Sequence, residues 1–415
     1  MSWGVHAGVP RKKVVWQEMK RVLIIHANME LGGAETSLLG LLEAFDYTKV
    51  SVDLLLMDPV GELLAQVPQQ VNVLPTIPAY QALVQPIKRA ILAGHVCVAA
   101  ARLWGKLVCA MGEWKHHYSD YGYIVKQCYH ETALPFLPEV PGNYDLAISF
   151  NDPHYILAKK VLSKVRIGWF HTDYSRIDLK HRKEAAMWGG CDYAVNVSES
   201  CKRAFDNTHP GLKTKSIVVE NILSKNLIVT RANAIDPNNE MCPESIRILS
   251  IGRYCTAKNF DNVPDICARL VRDGLDVKWY IIGFGLDEPL IKQKIVEAHM
   301  EDRVILLGKK ENPYPYIKAC DLYVHPSRYE GKSVCVREAQ ILCKPVVITN
   351  YATSASQLED GVDGVIVPMD NEGCAAGIAA LLRSSERMKQ LAENCSRRDY
   401  TNACEVDKLY HIMNL

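Results

Sequence analysis

The sequence predicts an α/β protein built from two doubly wound domains with parallel sheets, and three observations carry the prediction. Short Val- and Ile-rich runs alternate with segments of helical period, the pattern of parallel strands covered by helices. That alternation stops at a polar, proline-containing stretch, Ile235 to Ser245 (IDPNNEMCPES), and then restarts. The chain has 415 residues with 48% hydrophobic content, enough for two cores of ordinary size and large for one.

In the first half the strand candidates are Arg21 to Ala27, Val50 to Met57, Tyr144 to Phe150, Val165 to His171 and Tyr193 to Ser198, nearly all followed by a helix candidate. In the second half they are Arg247 to Gly252, Val277 to Gly283, Arg303 to Gly308, Leu322 to Pro326, Pro345 to Thr349 and Gly364 to Pro368. The expected layout is an N-terminal extension over 1–20, a first Rossmann-like domain over 21–235 and a second over 236–395. A helical segment, 396–415, is expected to pack back on the first domain. Within the first domain the alternation breaks between about 80 and 131. There Lys88, Arg89, Arg102, Lys106 and Lys115 interleave with Leu83, Ile87, Ile91, Trp104 and Trp114. Such a stretch either lies on an anionic membrane surface or packs its apolar face on the domain.

Composition narrows the function classes. A net charge of +1 gives no bulk attraction for nucleic acid, although eight Lys or Arg stand against two Asp between Lys159 and Lys183. The 14 cysteines contain no Cys-x2-Cys pair, which reads as reduced thiols in a cytoplasmic protein. The first twenty residues lack the apolar core of a signal peptide, and the longest apolar stretch, Ala90 to Ala101, is too short to cross a bilayer as a helix.

The most informative run is Ser327 to Pro345 (SRYEGKSVCVREAQILCKP), which sets Glu330 and Glu338 eight residues apart across a strand-to-helix junction. Ser333 is a candidate N-cap, and the helix behind it would aim the backbone N–H groups of Val334 and Cys335 at the strand ends, where they bind phosphate. Taken alone, the spacing equally describes two surface glutamates. A second strand end adds Arg253 and Lys258, two cations able to converge on a diphosphate, and a third adds the glycine loop Gly283-Phe284-Gly285. Ligands of open α/β sheets bind at such strand ends.

In the first half, the loop NMELGGAETS puts Gly32 and Gly33 after the first strand, where backbone can approach a ligand closely. It is not the Gly-x-Gly-x-x-Gly fingerprint of NAD binding. His171 closes a strand and precedes a polar run, which points its imidazole toward a cleft; a histidine at a strand end also serves as an ordinary hydrogen-bonding residue.

Together GGAE (Gly32 to Glu35), the IGR…K…F element (Ile251 to Phe260), Asn312 to Gly331, REA (Arg337 to Ala339) and DGVDGVIV (Asp360 to Val367) resemble the GT-B glycosyltransferases, and within them glycosyltransferase family 4. The resemblance implies two Rossmann-like domains facing a central cleft. It implies metal-independent transfer of a sugar from a nucleotide-sugar donor, UDP- or GDP-linked, to a glycan or lipid-linked acceptor with retention of configuration. It carries Arg253 and Lys258 onto the diphosphate, Glu338 onto the ribose and Glu330 onto the donor sugar, with His171 near sugar and acceptor. Glu330 and His171 are expected to orient the sugar and stabilise charge, the leaving phosphate taking the acceptor proton. No cofactor and no metal are expected, in keeping with the missing Asp-x-Asp triplet. Two departures leave the donor sugar open: Lys332 and Ser333 stand where relatives carry Phe-Gly, and Thr353 to Gln357 where they carry Gly-Gly and a Glu. Competing readings are a GT-B nucleotide-sugar epimerase and a non-catalytic nucleotide-sugar-binding protein.

Overall fold

A computed structural model of the chain describes residues 19–30, 32–116, 121–151, 153–171, 184, 187–330 and 333–415. The extension expected over 1–20 falls almost wholly outside the described residues, as do Lys332, the second half of the basic run ending at Lys183, and the side chains of Trp114 and Lys115.

The first part of the chain forms β1 (Lys20–His26), α1 (Gly33–Ala44), β2 (Val50–Leu56), β3 (Asn72–Val73), α2 (Pro78–Val84), α3 (Ile87–Leu92), α4 (Val96–His116), α5 (Tyr121–Ala133), β4 (Asn143–Ser149), α6 (Tyr155–Lys160), β5 (Leu162–Phe170), β6 (Tyr193–Asn196), α7 (Glu199–Thr208), β7 (Ser216–Val218) and α8 (Lys225–Ala232). Its parallel sheet has the order β3-β2-β1-β4-β5-β6-β7. The second part forms β8 (Ile246–Ile251), α9 (Val263–Arg272), β9 (Val277–Ile282), α10 (Glu288–Glu297), β10 (Val304–Gly308), α11 (Tyr314–Ala319), β11 (Leu322–His325), α12 (Val334–Ile341), β12 (Val346–Thr349), α13 (Ser354–Gln357), β13 (Val365–Val367), α14 (Asn371–Leu382), α15 (Ser385–Ser396) and α16 (Val406–Ile412). Its parallel sheet runs β10-β9-β8-β11-β12-β13.

Period-2 burial explains the apolar runs. In β1, Val22 and Ile24 enter the core on one face while Leu23 and Ile25 enter the core on the other. Every strand expected from the sequence is present; the short edge strands β3 and β7, with too few apolar residues to signal themselves, are additional.

The changeover between domains falls earlier than the polar stretch 235–245. Ile222 and Leu227 belong to the first domain's core, whereas Leu223, Ile228, Ala232 and Met241 pack in the core of the second. α8 is therefore packed against both cores, mostly the second, and 223–245 is built structure rather than a free linker. The chain crosses back near its end: Cys395 and Tyr400 pack in the second domain, while Val406, Leu409, Tyr410 and Met413 pack in the first.

The insertion has two apolar faces. Its inner face, with Tyr80, Leu83, Ala90, Val98, Ala99 and Cys109, is buried in the first domain's core. Arg102, expected among the surface cations, is instead buried and donates to the carbonyls of Ala82 (2.7 Å) and Gln85 (2.6 Å), closing the C-terminal end of α2. The outer face leaves Leu92 78%, Val96 57%, Leu103 52%, Trp104 58%, Leu107 52% and Met111 52% exposed. Among the described residues no helix is long and apolar enough to cross a membrane.

Because Leu409 is wholly buried at the end of the returning segment, Leu409→Ala should destabilise the protein by about 2–5 kcal/mol. Urea unfolding followed by tryptophan fluorescence, with a first transition shifted to lower urea, checks this.

Candidate functional site

The carboxyl ends of the two sheets face a shared cleft of about 770 Å³. His171, Ser198, Ser200, Glu220 and Asn221 line it from the first domain, Arg253, Lys258, Glu330, Ser333, Val334 and Arg337 from the second, and Asn402 from the returning segment. In each sheet the order reverses at a central pair, β1/β4 and β8/β11, so loops leave in opposite directions and open a crevice there. Arg253 follows β8 and Glu330 follows β11.

Glu330 is the electrostatic centre. Its Oε2 accepts from Lys258 Nζ in a short ion pair and lies 3.1 Å from His325 Nε2. Burial alone would raise its pKa, yet His325 and Lys258 hold it down at about 2. Burial in turn pushes His325 below the usual imidazole range. The loops carrying these groups are tied together. Arg328 makes a bidentate pair with Asp261 (2.9 and 2.7 Å) and donates to the Thr256 carbonyl at 2.7 Å. Gly252, lacking a Cβ, leaves room for the Lys258 stem.

Helical phase sorts the residues of α12. Ser333, Val334 and Arg337 share the face toward the cleft. Glu338, one residue on, turns inward: it is 7% exposed, accepts from the Tyr314 hydroxyl at 2.9 Å, and burial raises its pKa. Cys335 turns the same way, its thiol beside Glu338. The direct exposure to a ribose expected of Glu338 is therefore not what this arrangement displays. Ser333 was expected to cap the helix with its hydroxyl but makes no such bond. Its backbone N–H donates to Gln357 Oε1 at 2.6 Å, and Gln357 Nε2 donates back to its carbonyl at 3.2 Å.

Among the described residues the guanidinium groups of Arg253 and Arg337 make no ion pair, so the second domain offers two uncommitted cations to the cleft beside the committed Lys258. Arg337 and His325 escaped sequence reasoning as site residues. A helix-phase argument from Ser333 would have found Arg337, whereas His325 ends a wholly buried strand and carries no local signal.

Gly283 does not line the cleft. A Cβ there would collide with the Gly252 carbonyl oxygen, so the glycine serves close backbone packing behind Arg253. Gly32 caps α1, and a Cβ on it would collide with the Glu35 carboxylate. That carboxylate accepts from His26 Nε2 at 2.9 Å, and although burial opposes it, the imidazole holds the Glu35 pKa below its usual value. Gly33 has open space around it; neither glycine is among the cleft-lining residues.

His171 lines the cleft as expected. Its ring lies 4.7 Å from the Phe150 ring and stacks near Trp169. Burial, reinforced by His26 and opposed by Glu35, presses its pKa down to about 4, so the imidazole is neutral at neutral pH. Its Nε2 has no hydrogen-bond partner among the described residues.

Since the Glu330 pKa is lowered from 4.5 to about 2 on folding, ionised Glu330 contributes stability above pH 4.5 that is lost as pH falls toward 2. The stability gap between the parent and Glu330→Gln should be on the order of 2 kcal/mol at pH 6 and close between pH 4.5 and 2. Denaturant unfolding across that range checks it.

Residues 234–398 match the family described as Glycosyl transferases group 1. The Campylobacter jejuni N-acetylgalactosamine-N,N'-diacetylbacillosaminyl-diphospho-undecaprenol 4-alpha-N-acetylgalactosaminyltransferase is 31% identical over 163 residues, 39% of this chain and 43% of that protein. The alpha-D-kanosaminyltransferase of Streptomyces kanamyceticus is 28% identical over 152 residues, 36% of this chain and 39% of that protein. These matches span less than half the length of either relative. Among solved structures, Anabaena HepE in complex with UDP aligns over 95% of this chain and 100% of its own, with a TM-score of 0.57 and 16% identity. A mutant of Staphylococcus aureus TarM, with UDP among its ligands, aligns over 96% and 100% with a TM-score of 0.61 and 14% identity. The fold is thus the GT-B arrangement of two Rossmann-like domains.

Proposed function

From a GT-B fold whose residues 234–398 are of the glycosyl transferases group 1 kind, we propose that the protein is a glycosyltransferase of family 4 that moves a sugar from a nucleotide donor to a glycan or lipid-linked acceptor. The observation that carries the reading is the cleft: Arg253, Arg337 and Lys258 gather beside Glu330 on one wall and a neutral His171 stands on the other. The cations and the N-terminus of α12, with Ser333 and Val334 at its start, take the diphosphate and stabilise the charge on the leaving nucleotide. No divalent ion is required for that step in this reading. UDP is favoured over GDP because HepE and TarM are complexes with UDP.

Glu330 orients the donor sugar. Glu338, turned inward and held by the Tyr314 hydroxyl, supports the ribose side of the donor wall from behind. Neutral His171 offers Nε2 to the sugar or the acceptor hydroxyl, while the departing phosphate accepts the acceptor's proton, consistent with transfer in which configuration is retained.

Arg253→Ala should weaken UDP binding in calorimetry by on the order of 1.5–3 kcal/mol at an unchanged melting temperature. Nucleoside diphosphate release from a panel of nucleotide sugars should proceed equally with EDTA. Parent-like UDP binding by Arg253→Ala would displace the donor site, and loss of turnover on chelation would overturn the metal-independent step.

We further propose peripheral association with the cytoplasmic face of the cell membrane through the outer face of 80–131, where a lipid-linked acceptor is presented. The sequence has no Asp or Glu between Glu62 and Glu113, and Lys88, Arg89 and Lys106 are exposed around the apolar stripe. Each cation contributes about 1 kcal/mol near an anionic surface, and Trp104 suits the interface. The variant Lys88→Gln, Arg89→Gln, Lys106→Gln, which leaves buried Arg102 in place, should lose most co-sedimentation with anionic liposomes at low salt. Equal sedimentation of variant and parent, or none for either, would sink the membrane reading alone.

A further inference from the structure

Two helices present their N-termini to the cleft, and they are finished differently. On the first wall Ser198 precedes α7, and its hydroxyl accepts from the Cys201 N–H at 3.2 Å, so the helix is capped by its own chain. An anion there would have to displace that bond. On the second wall Ser333 precedes α12, and its hydroxyl makes no capping bond. Ser198, Ser333 and Val334 all line the cleft. A helix start without a cap keeps its first N–H groups unsatisfied and frays unless another element holds it.

That element is α13. Gln357, its last residue, accepts from the Ser333 N–H through Oε1 at 2.6 Å and donates from Nε2 to the Ser333 carbonyl at 3.2 Å. A primary amide can accept and donate at once, and here both halves go to one residue. The two peptide planes that flank Ser333 are fixed as a result. Thr353, the residue before α13, donates from Oγ1 to the Glu330 carbonyl at 2.7 Å, so this element holds the chain at 330 and again at 333. The grip is itself anchored. Leu358 is buried in the second domain's core, and the Glu359 N–H donates at 2.8 Å to Asp363, which is 4% exposed and accepts from the Tyr400 hydroxyl at 3.0 Å.

Gln357 uses none of the N–H groups of the first turn of α12. It is 3% exposed and is not among the residues that line the cleft, so it holds Ser333 from behind. In a trans peptide the carbonyl and the following N–H point opposite ways, and the Val334 N–H therefore points away from Gln357. Among the described residues that N–H has no hydrogen-bond partner. We propose that Gln357 is a positioning residue for the donor's diphosphate: it fixes the start of α12 through the main chain of Ser333 and leaves the first-turn N–H groups aimed and free for phosphate oxygens. The proposal rests on the reading of this helix start as the diphosphate site.

Gln357→Met keeps the volume and removes both hydrogen bonds. It should weaken UDP binding about tenfold, while uridine, which has no phosphate, binds as it does to the parent. Ala355→Ser, exposed on α13, should bind both like the parent. Calorimetry for UDP and ligand-observed NMR for uridine read these affinities. Amide exchange of the parent, followed residue by residue by NMR, tests the same geometry without a variant. The Ser333 N–H should exchange slowly with and without UDP, and the Val334 N–H slowly only with UDP. Parent-like UDP binding by Gln357→Met, an equal loss for uridine, or a Ser333 N–H that exchanges as fast as an exposed amide would overturn the proposal. If Gln357→Met does not fold, the exchange pattern decides. Failure of the underlying reading looks different: the parent would bind UDP no more tightly than uridine, or UDP would leave the Val334 exchange unchanged.

Discussion

A carboxylate removed from water stays ionised only if its partners cannot drift away, and Glu330 imposes that condition on the second domain. Lys258 and His325 come from different strand ends, so their loops must be fixed against each other to within a few tenths of an ångström. Arg328 does this by spanning to Asp261 and the Thr256 carbonyl. Gly252 does it by giving the lysine stem a place to lie. Such a buried pair adds little net stability. Its value is geometric: it holds Lys258 and His325 at fixed positions on the cleft wall beside Arg253 and Arg337.

The opposite wall carries one carboxylate, Glu220, among neutral hydrogen-bonding groups. His171 is kept neutral by burial and carries an unsatisfied Nε2, while Ser198, Ser200, Asn221 and Asn402 supply neutral polar groups around it. Two walls of such different character meet only because the chain crosses between domains twice, side by side. The crossings at 220–224 and 399–406 share hydrogen bonds with each other, and the first also with α1. Residues of both crossings, Glu220, Asn221 and Asn402, therefore also line the cleft.

Away from the cleft, the insertion over 80–131 has a distribution of burial that periodicity could not give. An amphipathic helix has one apolar face, and the two readings offered for this one were alternatives. Here α4 buries Val98, Ala99 and Cys109 inward and also exposes Val96, Leu103, Trp104, Leu107 and Met111 outward. Arg102, in the middle of the helix, faces in and closes the end of α2.

Strand positions, the restart of the α/β rhythm and the residues that follow each strand are local properties, written in alternation, glycine and charge. The sequence by itself thus determined the two-sheet fold, the placement of Arg253, Lys258 and Glu330 at strand ends, and His171 at the cleft. Helical phase, partner choice and domain allegiance depend on what lies across from a residue, and only the tertiary structure decided these. It turned Glu338 toward Tyr314 and Arg337 toward the cleft, a rotation of about 100° between neighbours on one helix. It assigned Gly283 to backbone packing, gave Glu330 a buried histidine that no motif announces, and set α8 between the two cores, because Leu227 is covered by the first and Ile228 and Ala232 by the second.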